Sequence, residues 1–227
     1  MKTHSVLILF FFSVFSASLR AEGPKKVLIL GDSMMRVTAH ATELQLGKRE
    51  GVTAKSHTSL GSGLARLDVF DWMAKIDELV GEFKPDAVIV WFGTNDRQPI
   101  TTAEKVVQPG TAEWNVEYAR RIGEAMDKLS ASGATVYWLE LPDMRDAKMQ
   151  DEILQLNQLF KSEAEKRKTV EFIPTRSVFS RKEGTFSPYV IGPNGMPLQV
   201  RDADGIHLNR AGADRMAAEM MKRLYSR

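Results

Sequence analysis

Apolar residues are distributed along the chain in two alternating rhythms. Five short runs read as strands: "KVLIL" (Lys26–Leu30), "VTAKS" (Val52–Ser56), "DAVIVWF" (Asp86–Phe92), "TVYWLEL" (Thr135–Leu141) and "VEFIP" (Val170–Pro174). Several are apolar without interruption, as expected of strands covered on both faces. Between them the apolar positions fall at helical spacing. Val69–Phe83 puts Phe70, Met73, Ile76, Leu79 and Val80 on one stripe and stops at Lys84-Pro85. Glu113–Ala131 follows a similar period and is punctuated by Gly133. Asp151–Lys166 repeats it with Ile153, Leu154, Leu156, Leu159 and Phe160, and a last helix near Asn209–Leu224 carries Met216, Met220 and Leu224. Strands alternating with helices predict an α/β fold, a three-layer α/β/α sandwich around a five-stranded parallel sheet. The strand order expected is the flavodoxin-like 2-1-3-4-5, with its switch point beside the first and third strands. One segment departs from this rhythm. "FSPYVIGPNGMPLQVRDADG" holds two short strand-like pieces around Pro193-Asn194-Gly195 and predicts a small β-hairpin inserted before the last helix.

The first residues stand outside that pattern. Met1–Ala21 has an early Lys2, an apolar centre from Val6 to Phe15, and then small residues. This is the build of a secretory signal peptide, too short for a comfortable membrane span. Cleavage is expected after Ala21, with Ser18 the alternative; an uncleaved N-terminal anchor is the competing reading. The remaining residues, 22–227, are expected to form one exported domain, periplasmic or secreted, with no membrane span in the mature chain. Two of the 31 Lys and Arg lie in the leader, so the mature chain has as many basic as acidic residues, the latter numbering 29. That balance, without a Lys/Arg block interleaved with aromatics, gives no reason to expect a nucleic-acid partner. The absence of cysteine removes disulfides, zinc–thiolate sites and thiol nucleophiles together.

In open α/β sheets ligands bind at the carboxyl ends of the strands. Gly31-Asp32-Ser33 ends the first strand and Gly93-Thr94-Asn95-Asp96 ends the third, so the two should be neighbours. A hydroxyl at a strand-to-helix corner is exposed, but it reacts only beside a base, and the base needs an orienting partner. The mature chain has three histidines, His40, His57 and His207. His40 falls inside the helix after Ser33 and reads as packing or surface. His57 follows the second strand near the cleft rim. His207, in "DADGIHLN", follows Asp204 by three residues, a spacing that lets the carboxylate hold the far ring nitrogen. An oxyanion site could draw on the Ser33 N–H, the Asn95 amide and an N–H of the loop "SLGSGLAR", with Gly63 first and Gly61 second. That loop is not a dinucleotide fingerprint, for it lacks the final small residue and a flanking strand–helix unit. Arg66 and Asp68 read as a loop-fixing ion pair, Trp72 as core, and Arg97 and Gln98, next to Asn95, as substrate contacts. Met216, Met220 and Met221 read as helix packing.

Together these blocks resemble the SGNH (GDSL-type) hydrolases, specifically an exported bacterial subfamily. The carriers are Ser33 in "GDS", Gly63 in "GSG", Asn95 in "GTND", and His207 with Asp204 in "DGIH", across essentially the whole mature chain. The resemblance implies a Ser-His-Asp carboxylic-ester hydrolase without metal or organic cofactor. Ser33 would be the nucleophile, His207 the base and Asp204 its partner, with Ser33, Gly63 and Asn95 forming the oxyanion site. Export adds the expectation of an O-acylated carbohydrate or another small ester as substrate, such as an acetylated cell-wall glycan. An O-acyltransferase would use the same triad. A non-catalytic glycan-binding or assembly protein would be marked by loss of a triad member, and none is missing.

Overall fold

The computed structural model describes residues 23–180, 182 and 184–226. The leader lies outside the described residues. The main sheet is built from β1 (Lys26–Gly31), β2 (Thr53–Thr58), β3 (Ala87–Trp91), β6 (Thr135–Leu139) and β7 (Val170–Ile173). All are parallel, in the order β2-β1-β3-β6-β7, which is 2-1-3-4-5 when these five strands are counted along the chain. The uninterrupted apolar runs occupy the three inner places, and β3 is buried at every residue. The less apolar β2 takes an edge, where its residues remain partly exposed.

The helices are α1 (Ser33–Leu46), α2 (Trp72–Phe83), α3 (Ala112–Ser130), α4 (Ala147–Glu165) and α6 (Arg210–Tyr225), with a single turn α5 (Arg176–Phe179). Right-handed crossovers fix their sides. The step from β1 to β2 runs one way along the sheet and puts α1 on one face. The later steps run the other way and put α2, α3 and α4 on the opposite face. The contacts agree: α6 packs on α1, while α2 and α4 both pack on α3. Among the described residues two hairpins complete the fold, β4 (Ile100–Thr101) with β5 (Val106–Val107), and β8 (Tyr189–Ile191) with β9 (Pro197–Gln199). The second is the hairpin expected before the last helix.

Caps account for several displaced boundaries. Helix α2 begins at Trp72 instead of Val69 because the Asp71 side chain accepts the Ala74 N–H. Helix α4 begins four residues before Asp151, where Asp146 accepts the Met149 N–H. Strand β2 extends to Thr58 and so includes His57. The β4–β5 hairpin and α5 have no counterpart among the sequence expectations. Two-residue strands and a single helical turn are too short to show a period.

Candidate active site

The strand ends are tied together by hydrogen bonds that converge on the Gly-Asp-Ser corner. Gly31 ends β1 beside Trp91, and a Cβ there would lie 2.3 Å from the Trp91 carbonyl oxygen, so only glycine fits. Asp32 is fully buried and caps α1 by accepting the Met34 N–H at 2.8 Å. Its other oxygen accepts the Gly93 N–H at 3.0 Å and the Thr94 hydroxyl at 3.2 Å, joining β1 to the loop after β3. Burial pushes the Asp32 carboxyl up to about 7, with Asp96 adding repulsion, against the three donated hydrogen bonds. The loop after β2 is joined to β1 where Ser59 donates its N–H to the Gly31 carbonyl at 3.1 Å. Asn95 then joins the loops after β2 and β3 by donating its amide to the Ser62 carbonyl at 3.0 Å.

Ser33 is the first residue of α1, half-buried, with its hydroxyl 2.8 Å from His207 Nε2. His207 Nδ1 lies 2.6 Å from Asp204 Oδ2. The second carboxylate oxygen, Oδ1, accepts the N–H groups of Ile206 at 2.8 Å and His207 at 3.0 Å. Partial burial opposes ionisation of Asp204. The His207 ring and these two N–H groups outweigh it and hold the carboxyl at about 2. The N–H of Ser33 donates to no acceptor among the described residues, and neither does that of Gly63. At the first position of α1, the Ser33 N–H also carries the positive end of the helix dipole.

The loop holding Gly63 is fixed by buried charge. Gly63 packs so closely on Asp96 that a Cβ would lie 2.1 Å from its carboxylate. Asp96 accepts the Ala65 N–H at 2.7 Å and the Tyr118 hydroxyl at 2.7 Å, and burial raises its pKa. On the other side Arg121 donates to the carbonyls of Leu64 at 2.9 Å and Ala65 at 3.0 Å. The Leu64–Ala65 peptide is therefore aligned between a carboxylate at its N–H and a guanidinium at its carbonyl. Gly61 occupies a different setting: it is exposed and needs its φ of +68°. Below the loop, Trp72 is fully buried and its indole donates to the Ser62 hydroxyl at 2.9 Å.

The other singled-out residues turn mostly to protein partners. Arg66 and Asp68 form the expected ion pair, at 2.8 Å, and Arg66 also donates to the Gln98 side-chain oxygen. Gln98 in turn donates to the Asn95 carbonyl at 2.8 Å. Arg97 pairs with Glu152 of α4. Together they wall a cavity of about 360 Å³ that also touches Trp114, Lys148 and Leu159. His57 stacks on Phe70 and meets Trp72 edge-on, with ring centres 5.8 and 5.7 Å away, and burial pulls its pKa down. His40 is exposed on α1. Met216 and Met220 are buried in α6 and Met221 packs partly against the core.

Asp32, Asp96, Arg121 and Arg201 are buried groups around the site that the sequence reading passes over. Arg121 left a trace: it lies between Tyr118 and Ile122 on the buried face of an amphipathic helix, where a charge needs a reason. Among the described residues no group of three His, Asp or Glu side chains could hold a metal ion. No described helix is long and apolar enough to cross a membrane.

The fold is shared with several solved structures. An acetylxylan esterase from Geobacillus stearothermophilus, solved as a catalytic mutant, superposes with a TM-score of 0.62 at 16% identity, over 91% of this chain and 96% of its own. A GDSL-like lipase from Bacteroides thetaiotaomicron gives 0.59 at 19% identity, over 89% and 88%. A protein from Slackia heliotrinireducens provisionally assigned as an SGNH hydrolase gives 0.58 at 18%, over 88% and 97%. Among curated protein sequences none matches. Residues 26–223 match the family described as "Protein of unknown function (DUF459)", and the chain belongs to that family.

Proposed function

We propose that the protein is an exported serine carboxylic-ester hydrolase that removes O-acyl groups, acetyl foremost, from a carbohydrate. The observation that carries this reading is the unbroken relay from Asp204 through both nitrogens of His207 to the Ser33 hydroxyl. His207 Nε2 takes the proton as Ser33 Oγ attacks the ester carbonyl. The negative charge that develops on the carbonyl oxygen is met by the Ser33 N–H, the Gly63 N–H and the Asn95 amide. Collapse expels the alcohol, which receives the proton from His207. A water then attacks the acyl-serine, again through His207, and releases the carboxylic acid and free Ser33. Gly63 is preferred over Gly61 because Asp96 and Arg121 fix its loop. Arg97 is assigned to substrate contact on the cavity it shares with Glu152, and Gln98 supports the Asn95 loop as well as flanking the cleft. Export rests on the signal-like Met1–Ala21, and the carbohydrate on export together with the fold shared with an acetylxylan esterase.

The test is hydrolysis of p-nitrophenyl esters of increasing acyl length and of acetylated glycans, with and without an acceptor sugar. Release of free acetate is the expected outcome. Acyl transfer to the sugar in place of acetate release would move the protein to the transferases. No turnover of any ester would overturn the assignment.

Asn95 separates catalysis from loop structure. If its amide acts on the transition state, Asn95→Ala lowers kcat by about 10²–10³ and leaves KM nearly unchanged. Loss of the bond to the Ser62 carbonyl alone would cost only about 0.5–1.5 kcal/mol of stability. Both kinetic constants and the melting temperature should be measured on the same variant. A lowered melting temperature and raised KM with near-normal kcat would remove Asn95 from the oxyanion site.

A further inference from the structure

Arg201 is 1% exposed, although arginine rarely goes inside without a partner that requires it. It sits immediately before the segment that carries Asp204 and His207. One terminal nitrogen donates to the Asp143 carbonyl at 2.8 Å, in the loop after β6. The other donates to the Ile206 carbonyl at 2.7 Å, with the Gly205 carbonyl at 3.4 Å. The ring of Phe186 lies 5.0 Å from the guanidinium carbon. Arg201 and Leu208 face each other across an isolated antiparallel bridge that closes the loop from 202 to 207, and the Gly205 and Ile206 carbonyls of that loop turn to the guanidinium.

The significance lies in which peptides are held. The Gly205 carbonyl and the Ile206 N–H belong to one peptide unit, and the Ile206 carbonyl and the His207 N–H to the next. Both N–H groups donate to Asp204 Oδ1, while both carbonyls point to Arg201 Nη2. Two consecutive peptide dipoles thus lie between a guanidinium and a carboxylate, each aligned favourably with both charges. Arg201 and Asp204 are thus opposite charges linked through the backbone that carries the histidine.

We propose that Arg201 is a positioning residue for His207, holding the Asp204–His207 loop through these two peptides so that the imidazole meets Ser33. The proposal rests on the catalytic reading of Ser33, His207 and Asp204. The charged groups that face the loop besides Arg201 are Asp143, itself paired with Arg176, and Arg145, which donates to the Ala203 carbonyl at 2.7 Å. Neither supplies a donor to the Ile206 carbonyl.

The experiment compares Arg201→Met and Arg201→Lys with wild type. Methionine keeps the apolar stem and removes every donor; lysine keeps the charge and some donor capacity. Arg201→Met should lose about 10–100-fold in kcat, the scale of a misplaced catalytic group, with KM changed less than threefold. Arg201→Lys should recover part of that loss. Proton NMR without substrate supplies the second readout, the low-field imidazole N–H bound to Asp204, assigned by its absence in His207→Gln. That signal should broaden or vanish in Arg201→Met, below the melting transition and with native circular dichroism. Folded Arg201→Met with kcat within twofold of wild type, or with lowered kcat and an unchanged low-field signal, overturns the proposal. If Arg201→Met does not fold, Arg201→Lys is judged by the same two readouts. Should wild type cleave no ester, the catalytic reading fails, while the NMR comparison still decides whether Arg201 holds the histidine.

Discussion

Replacing Ser33 by alanine should lower kcat for ester hydrolysis by on the order of 10⁵–10⁶ while leaving the protein folded. The size follows from the proposed role, because a nucleophile removed from an intact triad leaves only binding and oxyanion stabilisation. The fold should tolerate the change for local reasons. Ser33 is the first residue of α1, and alanine is the best helix former. The α1 cap is supplied by Asp32, and Ser33's side-chain hydrogen bond is the one to His207. One partly buried hydrogen bond is worth about 0.5–1.5 kcal/mol, a shift of roughly 1–6 °C in a chain of this size. A fluorophosphonate gives a second measurement. Wild type should gain one adduct, located on Ser33 by peptide mass, and Ser33→Ala should gain none. A folded Ser33→Ala variant that still turns over an ester cleaved by wild type would sink the triad.

The sheet is legible in the sequence because burial on both faces leaves a direct mark. Val27–Leu30, Ala87–Phe92 and Val136–Leu139 are apolar at every position, and all are buried. Strand order follows from the rhythm of crossovers. Boundaries are less legible because caps decide them, and an Asp before a helix is seen as a cap only once its side chain is seen to turn back. Ser33, Asp204 and His207 are legible for a different reason. Each sits at a strand end or in a short loop, and the Asp-x-x-His spacing is local. The parts that hold them in place have long-range partners. Asp32 bonds to residues 61 and 62 positions away, and Arg121 reaches back 57 positions to Leu64. No spacing rule connects such pairs. Arg97 and Gln98 show how little adjacency alone tells. Standing beside Asn95 suggests substrate contact, but it gives no sign that their heads also meet Glu152, Arg66 and the Asn95 carbonyl.

The supporting charges also explain how an exposed relay can stay in register. Asp204 and His207 are both partly open to solvent, with side chains 45% and 34% exposed. Exposed pairs are ordinarily weak and mobile. Here the backbone on either side of the site is anchored by groups out of water: Asp96 and Arg121 under the Gly63 loop, Arg201 under the His207 loop, and Asp32 between β1 and the loop after β3. The arrangement puts Asp204 and His207 at the surface on a loop held from inside.

Asp204→Asn changes a single atom and should still be strongly damaging, though less so than loss of the nucleophile. The Asp204 Oδ1 position receives two N–H donors, from Ile206 and His207. An amide nitrogen cannot accept them, so the asparagine oxygen must take that place and the NH₂ must face His207 Nδ1. The ring then accepts at Nδ1 and carries its proton on Nε2, the nitrogen that faces Ser33. A histidine in that tautomer cannot take the Ser33 proton, and kcat should fall by about 10³–10⁴ with KM little changed. The variant should also lose stability in a pH-dependent way. The folded Asp204 carboxyl ionises at about 2, below its unfolded value. Its contribution is therefore complete above about pH 4 and is lost as pH falls toward about 2. Wild type should exceed Asp204→Asn in stability at pH 7, and the difference should shrink through that acid window. Urea unfolding of both proteins at pH 7, 4 and 3 measures it, alongside kcat and KM at pH 7. A folded Asp204→Asn variant whose kcat stays within tenfold of wild type would show that the far nitrogen of His207 does not depend on this carboxylate.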